Sequence, residues 1–161
     1  MSKIHPCIWC DHTAQEQADF YVSLLPNARI LRVQDSPVDT PSQSEGDPLF
    51  VEIELGGLTY LLLNGGDQFP QTEAVSFMIL TDDQAETDRL WDAIVGNCGQ
   101  ESQCGWCKDK WGVNWQITPR RLMELGYDIP DKAASRRVLE AMFTMKKIDI
   151  ARLEAAAAGE G

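Results

Sequence analysis

The sequence lacks any uninterrupted apolar run near the roughly 18 residues that a membrane helix needs. Residues 1–11 carry one lysine, then Pro6 and Cys7, with no apolar core of leader length. The expectation is a cytoplasmic protein without a membrane partner. Positive charge is scarce: 14 Lys and Arg face 25 Asp and Glu, for a net charge of −11. Such a field repels phosphate backbones and anionic lipid, so nucleic acid is excluded as a partner. The basic pairs Arg120-Arg121 and Arg136-Arg137 read as solvated helix faces or helix ends, with an anion site as the alternative. No Walker loop, dinucleotide glycine fingerprint or nucleophile elbow occurs. Gly56-Gly57 and Gly65-Gly66 are turn glycines, because a phosphate cradle would need a helix behind it. Also missing is the glycine-rich strand-to-helix turn expected of an S-adenosylmethionine-dependent methyltransferase. The cysteine count is odd, at five. With no export signal, that predicts free thiols in a reducing compartment.

What is present is a repeat. Hydrophobic residues make up 43% of the chain, enough for a packed interior. Ile4 to Cys10 reads as a strand, followed by a helix from Thr13 to Leu25. Ala14, Ala18, Tyr21 and Leu25 recur on that helix at intervals of three and four, with Thr13 as cap and Glu16 three residues on. Pro26 ends it, and Ala28 to Val33 reads as the next strand. Gln34 to Pro48 is polar and Pro- and Gly-bearing, a long loop with little to bury. Phe50–Leu55 and Leu58–Leu63 alternate around Gly56-Gly57 as a hairpin.

The pattern then begins again with a strand from Ala74 to Leu80 and a helix capped by Asp82 or Asp83 and ending near Val95. A shift of about 70 residues sets Thr13 on Asp83, Tyr21 on Trp91, Pro6 on Ser76 and Ile8 on Met78. The shift falls to about 55 for the last strand, placing Gly57 on Gly112, because the second copy lacks the long loop. The duplicated β-α-β-β-β unit predicts an α+β fold. Its expected parts are a first module over residues 1–70, a second over 71–121 and a helical tail over 122–161, forming one compact domain. In the tail, Val138, Ala141, Met142 and Met145 form an apolar stripe that docks on the core or on another subunit. Asp149 is placed to cap a last helix.

Several phrases together are specific: PCIWCDHTAQEQADFYVSLLPNARI, LNGGDQF, AVSFMIL with DRLWDAI, QCGWCKDKWGVNWQITP, and VLEAMFTMKKIDIARLEAA. They span nearly the whole chain, and the chain resembles the PhnB-like branch of the vicinal oxygen chelate superfamily. That branch carries a demethylubiquinone methyltransferase-like label. The resemblance implies two βαβββ modules pairing into a concave mixed sheet, usually in a homodimer, and fixes no reaction. Metal-dependent relatives place His, Gln or Glu on the first and last strands of each module. Here those positions fall at Pro6, Ser76, Leu61 and Gln116, a set with too few donors for a divalent ion. The expectation is therefore no metal and no other cofactor. The alternative is a divalent ion held through His5, if the first-strand register is off by one, together with Gln116.

The cysteines form two C-x-x-C pairs, CIWC and CGWC. On a strand, Cys7 and Cys10 point to opposite faces, which argues against a shared zinc. CGWC lacks the following helix that would lower a thiol pKa, and nearby carboxylates such as Asp109 would raise it. Buried or half-buried free thiols are the expectation. Glu52 and Glu54 share one sheet face, as an exposed strand face or, alternatively, a catalytic pair. Alternation assigns Ile8, Leu61, Leu63, Ser76, Met78, Asn114 and Gln116 to the concave face, with Trp106 at its rim. This apolar trough with a few polar atoms has the profile of a small-molecule site. The function expected is binding of a small, partly apolar or aromatic ligand between the halves, with methyl transfer disfavoured. The second reading is a metal-dependent lyase, isomerase or dioxygenase, and the third is a structural dimer.

Overall fold

Strand and helix periods alternate along the chain in the order the duplicated pattern demands. The structure is a computed structural model and describes residues 3–160. It consists of two units, Met1–Gln71 and Thr72–Gly161. Each carries its own four-stranded mixed sheet. Among the described residues no helix is long and apolar enough to cross a membrane.

In the first unit β1 (Cys7–Cys10) leads into α1 (Ala14–Leu24). The strands β2 (Arg29–Asp35), β3 (Pro48–Leu55) and β4 (Leu58–Asn64) follow. The sheet order is β1-β4-β3-β2, with β1 parallel to β4 and the other neighbours antiparallel. Alternation decides the faces. Val51, Ile53 and Leu55 of β3, with Tyr60 and Leu62 of β4, are buried beside Ala14, Ala18, Tyr21 and Leu24 of α1. Burial of large side chains of this kind contributes about 1.5–3 kcal/mol each. Gly56 and Gly57 both have positive φ, +59° and +80°, as a two-residue hairpin turn requires.

The first helix is not capped as expected. The Thr13 side chain accepts from Gln17 Nε2 at 2.7 Å and from no helix amide. Instead the Ala14 amide donates to Asn64 Oδ1 at 2.9 Å, and Asn64 Nδ2 donates to the Pro48 carbonyl. A buried asparagine fifty positions on thus satisfies an orphan helix donor that Thr13 leaves open. The long loop also buries more than its composition promised, because Ser36 and Gln43 are both nearly solvent-free. Their partners are Val38, whose carbonyl accepts from Ser36 Oγ, and His12, whose Nδ1 lies 2.8 Å from Gln43 Nε2.

The second unit repeats the scheme in shorter form with β5 (Phe77–Thr81), α2 (Gln84–Gly96), β6 (Gln100–Glu101), β7 (Trp106–Lys108) and β8 (Asn114–Pro119). The sheet order is β5-β8-β7-β6, again with one parallel pair, β5 and β8. Asp83 caps α2 through the Glu86 amide at 2.8 Å. Beyond the sheet come α3 (Arg120–Met123), a π-helical turn (Glu124–Asp128), α4 (Lys132–Met142) and α5 (Ile150–Ala158). The Val138, Met142 and Met145 stripe packs internally with Leu122, Leu125, Ile148 and Leu153. Asp149 caps α5 through the Arg152 amide.

The basic pairs serve structure. Arg120 bonds Asp82, Arg121 bonds Glu124 and Glu154, and Arg136 bonds Glu140. Arg137 donates to the Ala156 and Ala157 carbonyls at the end of α5, where a cation meets the negative end of the helix dipole.

The two sheets share a register that corrects the strand alignment. Cys7 pairs with Leu61 and Met78 with Gln116. The last strands therefore keep the shift of 55, while the first strands match at 71. Ile8 (4% exposed) corresponds to Ile79 (8%), and Cys7 to Met78, both exposed. At this shift His5, not Pro6, stands opposite Ser76.

Candidate functional site

Each sheet has one face against its helix and one face without it, and the candidate residues sort by that difference. Ile8 pairs with the fully buried Leu62 and so lies on the α1 side, which removes it from the expected trough. Cys7 and Trp9 take the other face with Leu61 and Leu63, which are half-buried. Glu52 and Glu54 share that face but are tied across strands to Arg32 and Arg29, at 3.0 and 2.8 Å. They form a ladder of cross-strand ion pairs. Trp9 is fixed by the LNGG segment, its Nε1 donating to the Gly66 carbonyl at 2.7 Å. A Cβ on Gly65 would stand 2.2 Å from the Trp9 ring, so only glycine fits there.

In the second unit Met78, Gln116 and Trp106 form one row across β5, β8 and β7 on the helix-free face. Gln116 Nε2 donates to Ser76 Oγ at 2.8 Å. One step along, Asn114 faces Lys108. A cavity of about 180 Å3 opens over the first row, lined by Met78, Gln116, Trp106 and Thr118 from the sheet. Leu122, Met123, Tyr127 and Met142 from the C-terminal helices and Cys104 from the loop before β7 form the rest of its lining. Sequence reasoning reached Met78, Trp106 and Gln116. It missed the other six, five of which lie off the alternating strands, in the Cys104 turn, α3, the π-helical turn and α4.

Cys104 is placed by its backbone: its amide donates to the Met145 carbonyl, and the Gly105 amide to that of Lys146. Gly105 has φ +82°, and a Cβ there would meet the Ile117 carbonyl at 2.8 Å, so the CGWC turn needs this glycine. Cys104 is half-buried and Cys107 buried, on opposite sides of the turn. Burial, and after it the Asp109 carboxylate, pushes the Cys107 thiol up to about 12. That is the reverse of a redox thiol. In CIWC, Cys10 is buried while Cys7 is exposed, so Cys7 lies outside the expected buried or half-buried class; Cys98, outside both pairs, is exposed.

The metal positions of the superfamily can be tested against these contacts. Leu61 offers no donor atom. The Gln116 amide is engaged with the Ser76 hydroxyl. His5 is exposed, ahead of β1. Among the described residues no three His, Cys, Asp or Glu side chains are grouped as a metal would require. The donor set does not fit a divalent ion.

A βαβββ sheet unit repeated once, with helices appended, defines the class: an α+β protein of the vicinal oxygen chelate fold. The chain matches the 3-demethylubiquinone-9 3-methyltransferase family over residues 2–118 and belongs to it. A PhnB protein from Bacillus cereus superposes with a TM-score of 0.66 at 23% identity, covering 73% of this chain and 99% of its own. Protein PA1353 from Pseudomonas aeruginosa gives 0.59 at 17% identity, covering 74% and 98%. A glyoxylase/bleomycin resistance protein/dioxygenase domain from Frankia gives 0.49 at 13%, covering 74% and 92%. Among curated proteins none matches.

Proposed function

We propose that this protein binds a small apolar or aromatic molecule in the cavity of its second unit and does so without a resident divalent ion or other cofactor. The observation that carries this is the cavity lining. Three thioethers, an indole and a leucine line a space of about 180 Å3, with Gln116 and Thr118 on the sheet and the Cys104 thiol and Tyr127 phenol beside them as its polar groups. Apolar space of about 150 Å3 accommodates one benzene ring, so the cavity suits a single ring or one end of a larger molecule. Methionine side chains adapt to such guests and favour aromatic faces. The family's methyltransferase name does not extend to this reading, since neither sheet offers a glycine-rich strand-to-helix turn on a parallel array. Five free thiols support a cytoplasmic location, and the resemblance supports a homodimer.

Ligand-observed NMR with toluene and indole tests the proposal, with alkylation of Cys104 as the site-specific readout. Binding should slow Cys104 alkylation and leave exposed Cys98 unchanged. Absence of binding by any single-ring compound would refute the reading. So would stoichiometric zinc, nickel, manganese or iron in the purified protein, which would favour the metal-dependent enzyme through His5 and Gln116.

A further inference from the structure

Trp106 lines a second cavity, of about 200 Å3, whose chemistry is the opposite of the first. Its walls are Glu73, Lys108, Asn114 and Ser102, with Gln100 and Glu101 of β6. Side chains two apart on a strand share a face and stand about 7 Å from one another. The Lys108–Asn114 row is therefore a direct extension of the Trp106–Gln116 row, and Trp106 belongs to both spaces.

The charges of the polar space differ in how firmly they are held. Glu101 is bonded to Lys146 at 2.8 Å. Lys108 and Glu73 approach only to 3.5 Å, and their side chains are 36% and 68% exposed. A long, solvated pair of this kind contributes little and opens at little cost. It presents a cation and an anion side by side, next to the indole and one step from the apolar cavity.

We infer that the two cavities form one bipartite site for a single-ring molecule bearing a zwitterionic head, its carboxylate meeting Lys108 and its ammonium meeting Glu73. This rests on the binding proposed above and specifies the ligand class. A head of one sign would satisfy one member of the pair and repel the other. A zwitterion replaces the long ion pair by two shorter ones.

The probes are L-phenylalanine, phenylacetate, benzylamine and toluene, measured by titration calorimetry and by Cys104 alkylation. Two new exposed ion pairs together correspond to about tenfold in affinity over toluene, and phenylalanine should exceed each singly charged probe, which forms one of the pairs, by about threefold. Glu73→Gln and Lys108→Met should each erase the gain while leaving toluene binding and Cys104 protection unchanged. Phenylacetate or benzylamine equalling phenylalanine, or either variant without effect, would overturn the inference and spare the simpler reading. Toluene and every other single-ring probe failing to bind would overturn both.

Discussion

Replacing Asp109 by asparagine isolates the contact that gives the DKWGVNW segment its shape. The carboxylate is 3% exposed. Its Oδ1 accepts from the amides of Trp111 and Val113, each at 3.0 Å, and its Oδ2 accepts from the indole Nε1 of Trp115, also at 3.0 Å. Trp115 is 1% exposed and forms the floor under β7 as the partner of Cys107. Asparagine keeps the volume and can keep both amide donors on its oxygen, but it turns an amino group toward the indole N–H. Two donors then oppose each other without water. Loss of one charge-assisted bond in a buried site costs about 2–3 kcal/mol. Asp109→Ala removes every acceptor and should cost more than about 4 kcal/mol. Urea unfolding followed by far-UV circular dichroism measures both. A double-mutant cycle with Trp115→Phe should return a coupling of about 1–2 kcal/mol, because the phenyl ring removes the opposed N–H. A loss below about 1 kcal/mol for Asp109→Asn, or strict additivity with Trp115→Phe, would show that the turn does not depend on this carboxylate.

Asn64→Ala should cost about 2–3 kcal/mol in the same assay, combining a lost helix cap with the buried bond to the Pro48 carbonyl. Gln116→Ala should cost only about 1 kcal/mol, since it breaks one side-chain bond to Ser76 and no ligand shell; a large drop in melting temperature together with lost metal would contradict this. Timed iodoacetamide labelling at pH 8 followed by peptide mapping should rank exposed Cys98 first, Cys104 later, and Cys107 unreacted until denaturant is added, its thiol being held protonated up to about 12. Stability should also fall in acid. The Lys147 bond holds Asp88 below the usual carboxylate range, and the Lys146 bond does the same for Glu101. Their contribution is present above the unfolded value of about 4 and is lost as pH falls through the lower folded values. Lys147 is raised, chiefly by its bond to Asp88, so its share persists to above pH 10.5. The urea midpoint should drop between pH 5 and pH 3, and Lys147→Met should make that drop smaller.

What could be read in the residues, and what could not, follows from the range of the interactions. The tail was legible because its apolar positions repeat within one helix, and Val138, Met142 and Met145 are buried together. The last-strand match was legible because a positive-φ glycine, Gly57 or Gly112, punctuates each copy. The first-strand match slipped by one because CIWC is only four residues long. Ile8 and Met78 are equally apolar, so nothing local tells which one faces a helix. The true cap of α1 was hidden because it comes from Asn64 and not from the neighbouring Thr13. The cavity was only partly visible for the same reason. An alternating strand reveals Met78, Trp106 and Gln116, whereas Cys104, Met123 and Tyr127 arrive from a turn, a short helix and a π-helical turn. None of those three carries a periodic signal. A cavity assembled from segment ends becomes visible only after the chain has folded, and that is why Cys104, which lines it, first reads as half of an unexplained C-x-x-C.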